Sequence, residues 1–259
     1  MPAFLTPWRA VSAMFLLNGA LLGIWASRIP TIREAQGLDK SQFGLLLLVM
    51  AVGALLSFPV AGRLADRFGA VLLTRILAVL YAVSLVGIAL APVSVLALGA
   101  TMFLFGATHG AMDVTMNSWA TEVEKAAGRP IMSSFHALWS VGTGLGALSG
   151  FFAGQIDLET SLHFLLAAVI FSAVCLPFSV VAWKSETVAG GSGSGAPLVS
   201  LPKSSARWEI IRWWVRPLLV VCWASLSWCR TPRVGLADGL RTAERLVAFV
   251  VTTVLRTIL

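Results

Sequence analysis

The sequence predicts an all-α membrane protein: six transmembrane helices, then a linker and an irregular tail. Three observations carry that expectation. Of 259 residues, 58% are hydrophobic and only 12% charged, and mean hydropathy is +0.86. Soluble chains carry about a quarter charged residues, so this one has too little polar surface to cover a globule. The apolar residues also gather into stretches near the ~20 residues a helix needs to cross about 30 Å of hydrocarbon. Finally, most Lys and Arg fall in the short connections between those stretches, where they act as membrane anchors. The net charge of +7 therefore does not indicate nucleic acid. Cys175, Cys222 and Cys229 form no disulfide framework and no zinc spacing, so neither metal nor cofactor is expected.

The first predicted span, residues 11–29, has one charge, Arg28, at its end, where it reads as an anchor. It is too long for a signal peptide and lacks a small-residue cleavage site. Residues 43–61 have no charge. Residues 70–91 have Arg75 near their start, within snorkelling distance of headgroups. Residues 93–117 contain Asp113 alone, and residues 131–154 and 161–183 contain none. Arg9, Arg63, Arg67, Arg75, Lys125, Arg129 and Lys184 fall on one side, and Arg28, Arg33 and Lys40 on the other. That excess places the N-terminus in the cytoplasm and the chain in the inner or plasma membrane.

Residues 1–183 thus form the six-helix block. Residues 184–206, with GGSGSG at 190–195, read as a flexible cytoplasmic linker. Residues 207–259 hold five of the ten tryptophans and two of the three cysteines, and every basic residue there is arginine. The apolar runs in this tail are too short to span cleanly. It reads either as an Arg-rich segment on the inner leaflet or as an out-of-frame or truncated stretch where a second block would begin.

Between the second and third spans lies Gly62-Arg63-Leu64-Ala65-Asp66-Arg67-Phe68-Gly69. The sequence places it in a tight cytoplasmic turn. There Gly62 and Gly69 permit close backbone approach, Asp66 complements a helix N-terminus, and Arg63 and Arg67 meet phosphates or that carboxylate. This string resembles the loop signature of the major facilitator superfamily, G-x-L-x-D-R-x-G, although Ala70, Val71 and Leu72 replace the basic residues usual after it. With six predicted spans and a following linker, the resemblance implies one half of a major-facilitator-type fold. It also implies that Asp66 steadies one conformation against a helix of a second half. Residues 112–117 (Met-Asp-Val-Thr-Met-Asn) and 128–136 (Gly-Arg-Pro-Ile-Met-Ser-Ser-Phe-His) are similar to the bacterial fucose-permease-related branch. Members of that branch are permeases of sugars or small solutes, often proton-coupled. The resemblance covers residues 10–183. The Pro-containing fifth-helix signature of drug–proton antiporters is missing from residues 131–154, which weakens a drug-efflux reading.

His109, Asp113 and Asn117 recur every fourth residue on one helical face. An ionisable group inside a span is expensive and faces a cavity or a partner. By helical rise Asp113 lies roughly 6 Å from the end of its predicted span, and His136 roughly 8 Å from the end of the next, so the two can meet and exchange a proton. The plainer alternative is a helix-end cap by Asp113–Asn117 that meets Lys125 or Arg129. Asn18 reads as either a substrate contact or an interhelical hydrogen bond, and Trp139 as either a sugar-stacking ring or packing. Gly142, Gly146, Gly150 and Gly154 make a small-residue stripe for close helix packing.

The first function these features suggest is transport of a small, sugar-like or otherwise polar solute by alternating access. Its partners would be the lipid bilayer, the solute, and a second six-helix half or a homodimer mate; nucleic acid is not among them. A six-span structural or regulatory protein is the second. A rhomboid-like protease is the third, resting on Ala147-Leu148-Ser149-Gly150, in which the first glycine of the nucleophile motif is replaced. His-Glu-x-x-His is absent. An enzyme is not the expectation.

Overall fold

The computed structural model describes residues 6–185 and 187. The tail at 207–259, with Cys222 and Cys229, and most of the linker lie outside the described residues. Within them the chain is entirely helical: α1 (Pro7–Ser27), α2 (Ile29–Ala35), α3 (Lys40–Phe68), α4 (Ala70–Ala89), α5 (Val95–Ala127), α6 (Met132–Gln155) and α7 (Thr160–Ser179). Five helices, α1, α3, α4, α5 and α7, are long and apolar enough to cross a membrane. The sixth long helix, α6, has 24 residues, but its Gly, Ser and Thr content dilutes its apolar character.

Local chemistry sets the boundaries. Pro7 opens α1 behind Thr6, whose hydroxyl accepts from Arg9 N at 3.3 Å. Asp39 and Gln42 form a reciprocal capping box that starts α3 at Lys40, three residues before the predicted span. Gly128, at φ 63°, ends α5 in the left-handed conformation. Pro177 withholds a backbone donor near the end of α7, and the helix stops at Ser179 rather than near Trp183. The short helix α2 was not anticipated; Gln36 beyond it donates to Pro92 O and accepts from Ser94 N, joining two turns at that end of the bundle.

Buried over most of its length, α1 packs against α4, α5, α6 and α7, whereas α3 packs mainly against α5, with a smaller contact to α4, and leaves most of its apolar surface open. The α1–α6 contact is an interlock of glycines from both helices. A Cβ on Gly19 or Gly23 would run into Trp139 O or Thr143 O of α6, and one on Gly142 or Gly146 into Leu16 O or Ala20 O of α1. Gly150 lies under the Ser27 side chain, and Gly154 faces the Arg28 guanidinium. Backbones this close gain dispersion contacts that any side chain would hold apart.

Two sequence expectations need correcting. The Gly62–Gly69 string is not a loop: residues 62–68 are the last turns of α3, and Gly69 alone, at φ 87°, makes the turn into α4. Gly62 has nothing within 4 Å of its would-be Cβ, so it is not a close-approach residue among the described residues. The arginines at the span ends are not free anchors either. Arg28 is 6% exposed and donates to Leu158 O in the α6–α7 turn. Arg75 donates to Ser179 O and to Val181 O, the latter at 2.9 Å, just past α7. A guanidinium drawn into an apolar boundary satisfies itself on the nearest uncommitted carbonyls, and helix ends supply them.

Candidate functional site

Half-buried on α5, Asp113 accepts a 3.2 Å hydrogen bond at Oδ1 from Asn117 Nδ2, which also donates to the Asp113 carbonyl at 2.8 Å. The helix runs on to Ala127, so Asp113 stands 14 residues, about 21 Å, from its end and caps nothing. Neither Lys125 nor Arg129 bonds to it; both are exposed beyond it. Thr121, one further turn along, is exposed and donates to Asn117 O, which extends a polar strip of Asp113, Asn117 and Thr121. His136 on α6 is exposed and close enough to Asp113 to interact with it electrostatically, though no hydrogen bond joins them. Ser140 follows His136 on the same helix, also exposed.

The His136 ring meets Phe15 edge-on at 5.3 Å, which anchors the strip to α1. One turn deeper, Trp139 Nε1 donates to Asn18 Oδ1 at 2.9 Å. Asn18 is 0% exposed, so the structure places it in the packed α1–α6 seam and not on a cavity wall. His109 lies apart from the strip, its ring 5.2 Å from Tyr81 of α4. Of the sequence-derived residues, then, Asp113, Asn117 and His136 come together, Asn18 and Trp139 pair beneath them, and His109 turns into the α4–α5 interface.

Residues 62–69 lie at the end of the bundle toward which α5 runs beyond the polar strip. Arg63, Asp66 and Arg67 are exposed, with Arg67 over the Phe68 ring at 5.1 Å. The chain leaving α7 is fastened there: Ser185 Oγ accepts from Val71 N at 3.1 Å and packs against Gly69, while Trp183 Nε1 donates to Glu122 at 2.8 Å. Glu124 accepts from Ile131 N and Met132 N at 2.7 and 2.6 Å, capping the start of α6. None of these fastenings was anticipated. A charge one and a half turns into an apolar run (Arg75), or two carboxylates just past a span (Glu122 and Glu124), was the available signal.

A groove of about 360 Å³ between α3, α4 and α5 is lined by apolar residues such as Leu56, Val60, Phe103 and Leu104, with Ser57 and Thr108 its only polar side chains. It does not include Asp113 or His136. Ser149 Oγ and His163 Nε2 are 3.2 Å apart, the spacing of a nucleophile and its base. The shorter Ser149 contact, 2.7 Å, is however to Gly146 O, and His163 Nδ1 is buried without the third group that would orient the ring. No group of three or more potential metal ligands occurs among the described residues.

Helices of this length and polarity, with a glycine-rich seam and a Gly-x-Leu-x-Asp-Arg-x-Gly end to α3, coincide with a known family. Residues 5–231 match the Major Facilitator Superfamily. The chain belongs to that superfamily. The match continues past α7 into the region beyond the described residues. Among curated relatives, an uncharacterized transporter of Sinorhizobium fredii (strain NBRC 101917 / NGR234), y4wD, is 49% identical over 194 residues, 75% of this chain and 51% of the relative. The membrane protein MosC of Rhizobium meliloti is 37% identical over 140 residues, 54% of this chain and 34% of the relative. An uncharacterized MFS-type transporter of Yersinia pestis is 36% identical over 135 residues, covering 51% of this chain and 34% of the relative. The chain spans about half the length of the first of these and about a third of the other two. Membership in this superfamily makes the chain a membrane protein, and two of these relatives are named as transporters.

Proposed function

We propose that the chain is one six-span half of an alternating-access permease for a small polar solute, sugar-like in character and taken up with a proton. We also place it near the fucose-permease-related branch. The observation that carries this is the strip of Asp113 and Asn117, half-buried midway along a spanning helix with His136 in electrostatic reach. A carboxylate at that depth is kept because it moves or binds something. Open flanks on α3 and α6 support pairing with a second half, from a longer chain or a second copy. Arg63, Arg67, Lys125 and Arg129, exposed at one end, support a cytoplasmic assignment for that end and for the N-terminus of α1.

The test begins with access. In a background where Cys175, Cys222 and Cys229 are changed to Ser, cysteines replacing Asn117 and Ser140 should react with a membrane-impermeant thiol reagent, while one replacing lipid-facing Val83 should not. Equal protection at all three would favour a membrane protein without a transport path. In proteoliposomes, Asp113→Asn should uncouple solute uptake from internal acidification. Co-transport of protons undiminished by that change removes the coupling role.

A further inference from the structure

The groove of about 360 Å³ between α3, α4 and α5 has room for a ligand that the Asp113 strip does not use. Its α3 wall is Gly53, Leu56, Ser57, Val60, Ala61 and Leu64, the i, i+3, i+4 spacing of one helical face. From Gly53 to Leu64 that face runs about 16 Å, close to half of the ~30 Å hydrocarbon core. The groove is open to its surroundings: Leu56 is 60% exposed, Val60 52%, and Leu104 on α5 56%. Its two hydroxyls are spent on their own helices, Ser57 donating to Ala54 O at 2.7 Å and Thr108 to Leu104 O at 2.9 Å. The walls thus offer apolar contact and no free donor. In a bilayer such a space takes hydrocarbon and not water.

One turn past Leu64 the same ladder of α3 reaches Arg67 and Phe68, both exposed, with the guanidinium 5.1 Å from the ring centroid. Arg63, also exposed, stands one turn before Arg67. No carboxylate pairs with either arginine among the described residues. Asp66 lies roughly 200° around the helix from Leu64, on the far side from the groove. Arg75 of α4 is committed to Ser179 O and Val181 O. An apolar trough one leaflet deep, with two unpaired guanidinium groups at its end, has the outline of a single phospholipid.

We propose that the groove and Arg67, with Arg63 beside it, bind one anionic phospholipid of the phosphatidylglycerol kind. One acyl chain lies between α3, α4 and α5, and the phosphate meets the guanidinium groups, whose planar forks match its oxygens. A zwitterionic headgroup carries its own cation, which competes for that phosphate, so the charge at the groove end selects the anionic lipid. The site shares no residue with the Asp113 strip. It rests on the membrane setting alone and not on the transport reading.

The experiment is native mass spectrometry of the purified full-length chain in detergent, titrated with phosphatidylglycerol or with phosphatidylcholine of the same acyl chains. One phosphatidylglycerol should be retained in preference to phosphatidylcholine. Arg67→Gln should weaken its binding about fivefold, and the Arg63→Gln, Arg67→Gln double variant should lose the preference between headgroups. Ser57→Phe fills the groove and leaves both arginines, so it should lower retention of either lipid. Leu104→Trp, at the open rim, is the second groove variant if Ser57→Phe does not fold. Val83→Phe, on the exposed surface of α4 outside the groove, and Arg129→Gln should change nothing. Equal retention of the two lipids by the parent overturns the proposal, as does retention that survives unchanged in the double variant or in both groove variants. Displacement of the lipid by inorganic phosphate would show an arginine site without an acyl groove, and a lipid-free dimer would show a second copy as the occupant; either result also overturns it.

Discussion

Replacing Gly146 by Ala should destabilise the protein by about 1–3 kcal/mol, the range for overpacking a close-packed seam. The added methyl would lie on Ala20 O and 2.8 Å from Ile24 N, both main-chain atoms of α1 that cannot rotate away. A comfortable separation is about 3.5 Å, so the two helix axes must part by roughly 1 Å. A gap of that size forfeits a quarter to a half of each dispersion contact along the seam. The helices move as rods, so the displacement is shared. Once Gly146→Ala has opened the seam, Gly142→Ala, which strikes Leu16 O and Ala20 N one turn away, meets a partner already displaced. The double variant should therefore fall short of the sum of the single effects by at least about 0.5 kcal/mol. Gly144→Ala is the control, since nothing lies within 4 Å of its would-be Cβ, and it should stay within about 0.5 kcal/mol of the parent. Denaturation by graded SDS in mixed micelles measures all four variants against the parent. Should Gly146→Ala prove no worse than Gly144→Ala, the seam is not a backbone contact and the reasoning fails.

Arg75→Met should remove two charge-assisted bonds to the carbonyls after α7, costing about 2 kcal/mol and exposing residues 180–187 to limited proteolysis; unchanged cleavage would show that the strap holds without it. Glu124→Ala should lose the cap on α6 at about 1–2 kcal/mol, read by the same denaturation, with Glu124→Gln intermediate. Asn18→Ala leaves the Trp139 indole N–H unpaired in a packed seam and should cost about 1–3 kcal/mol. Tyr81→Phe should run the other way: the Tyr81 hydroxyl is fully buried with no partner, so its removal should be neutral or stabilising by about 1 kcal/mol. A clear loss on Tyr81→Phe would reveal a bonded hydroxyl.

How far the sequence could be read followed from what each signal depends on. Apolar length depends only on the bilayer, so the positions of the long helices were readable to within a few residues at most of their ends. The spacing of Asp113 and Asn117 was readable too, because a helical face is a local property. Where helix ends are set by capping chemistry, reading fell short: α5 outran its apolar stretch by ten residues to Gly128, and Glu124 found its role only because that extension brings it to the amides of Ile131 and Met132. The Gly62–Gly69 string misled for a related reason. Its polarity suggested a loop, yet helix propensity carries α3 through Arg63, Leu64, Ala65 and Arg67, and only Gly69 has the positive φ that a turn needs.

The arginines show the same lesson at the level of packing. From sequence, Arg28 and Arg75 are boundary charges that reach for headgroups. In the fold each turns inward to a carbonyl flanking α7, one at the turn that enters it and the other just after its last residue. The helix that touches α1 and α4 only along part of its surface is thus held at both ends by side chains from those two helices. An apolar helix in lipid has little to fix its register against its neighbours, since hydrocarbon competes on equal terms for its side chains. Directional bonds at the two ends remove that freedom without filling the interface. Bonds of this kind fix the register of α7 against its neighbours in a way that apolar packing alone does not.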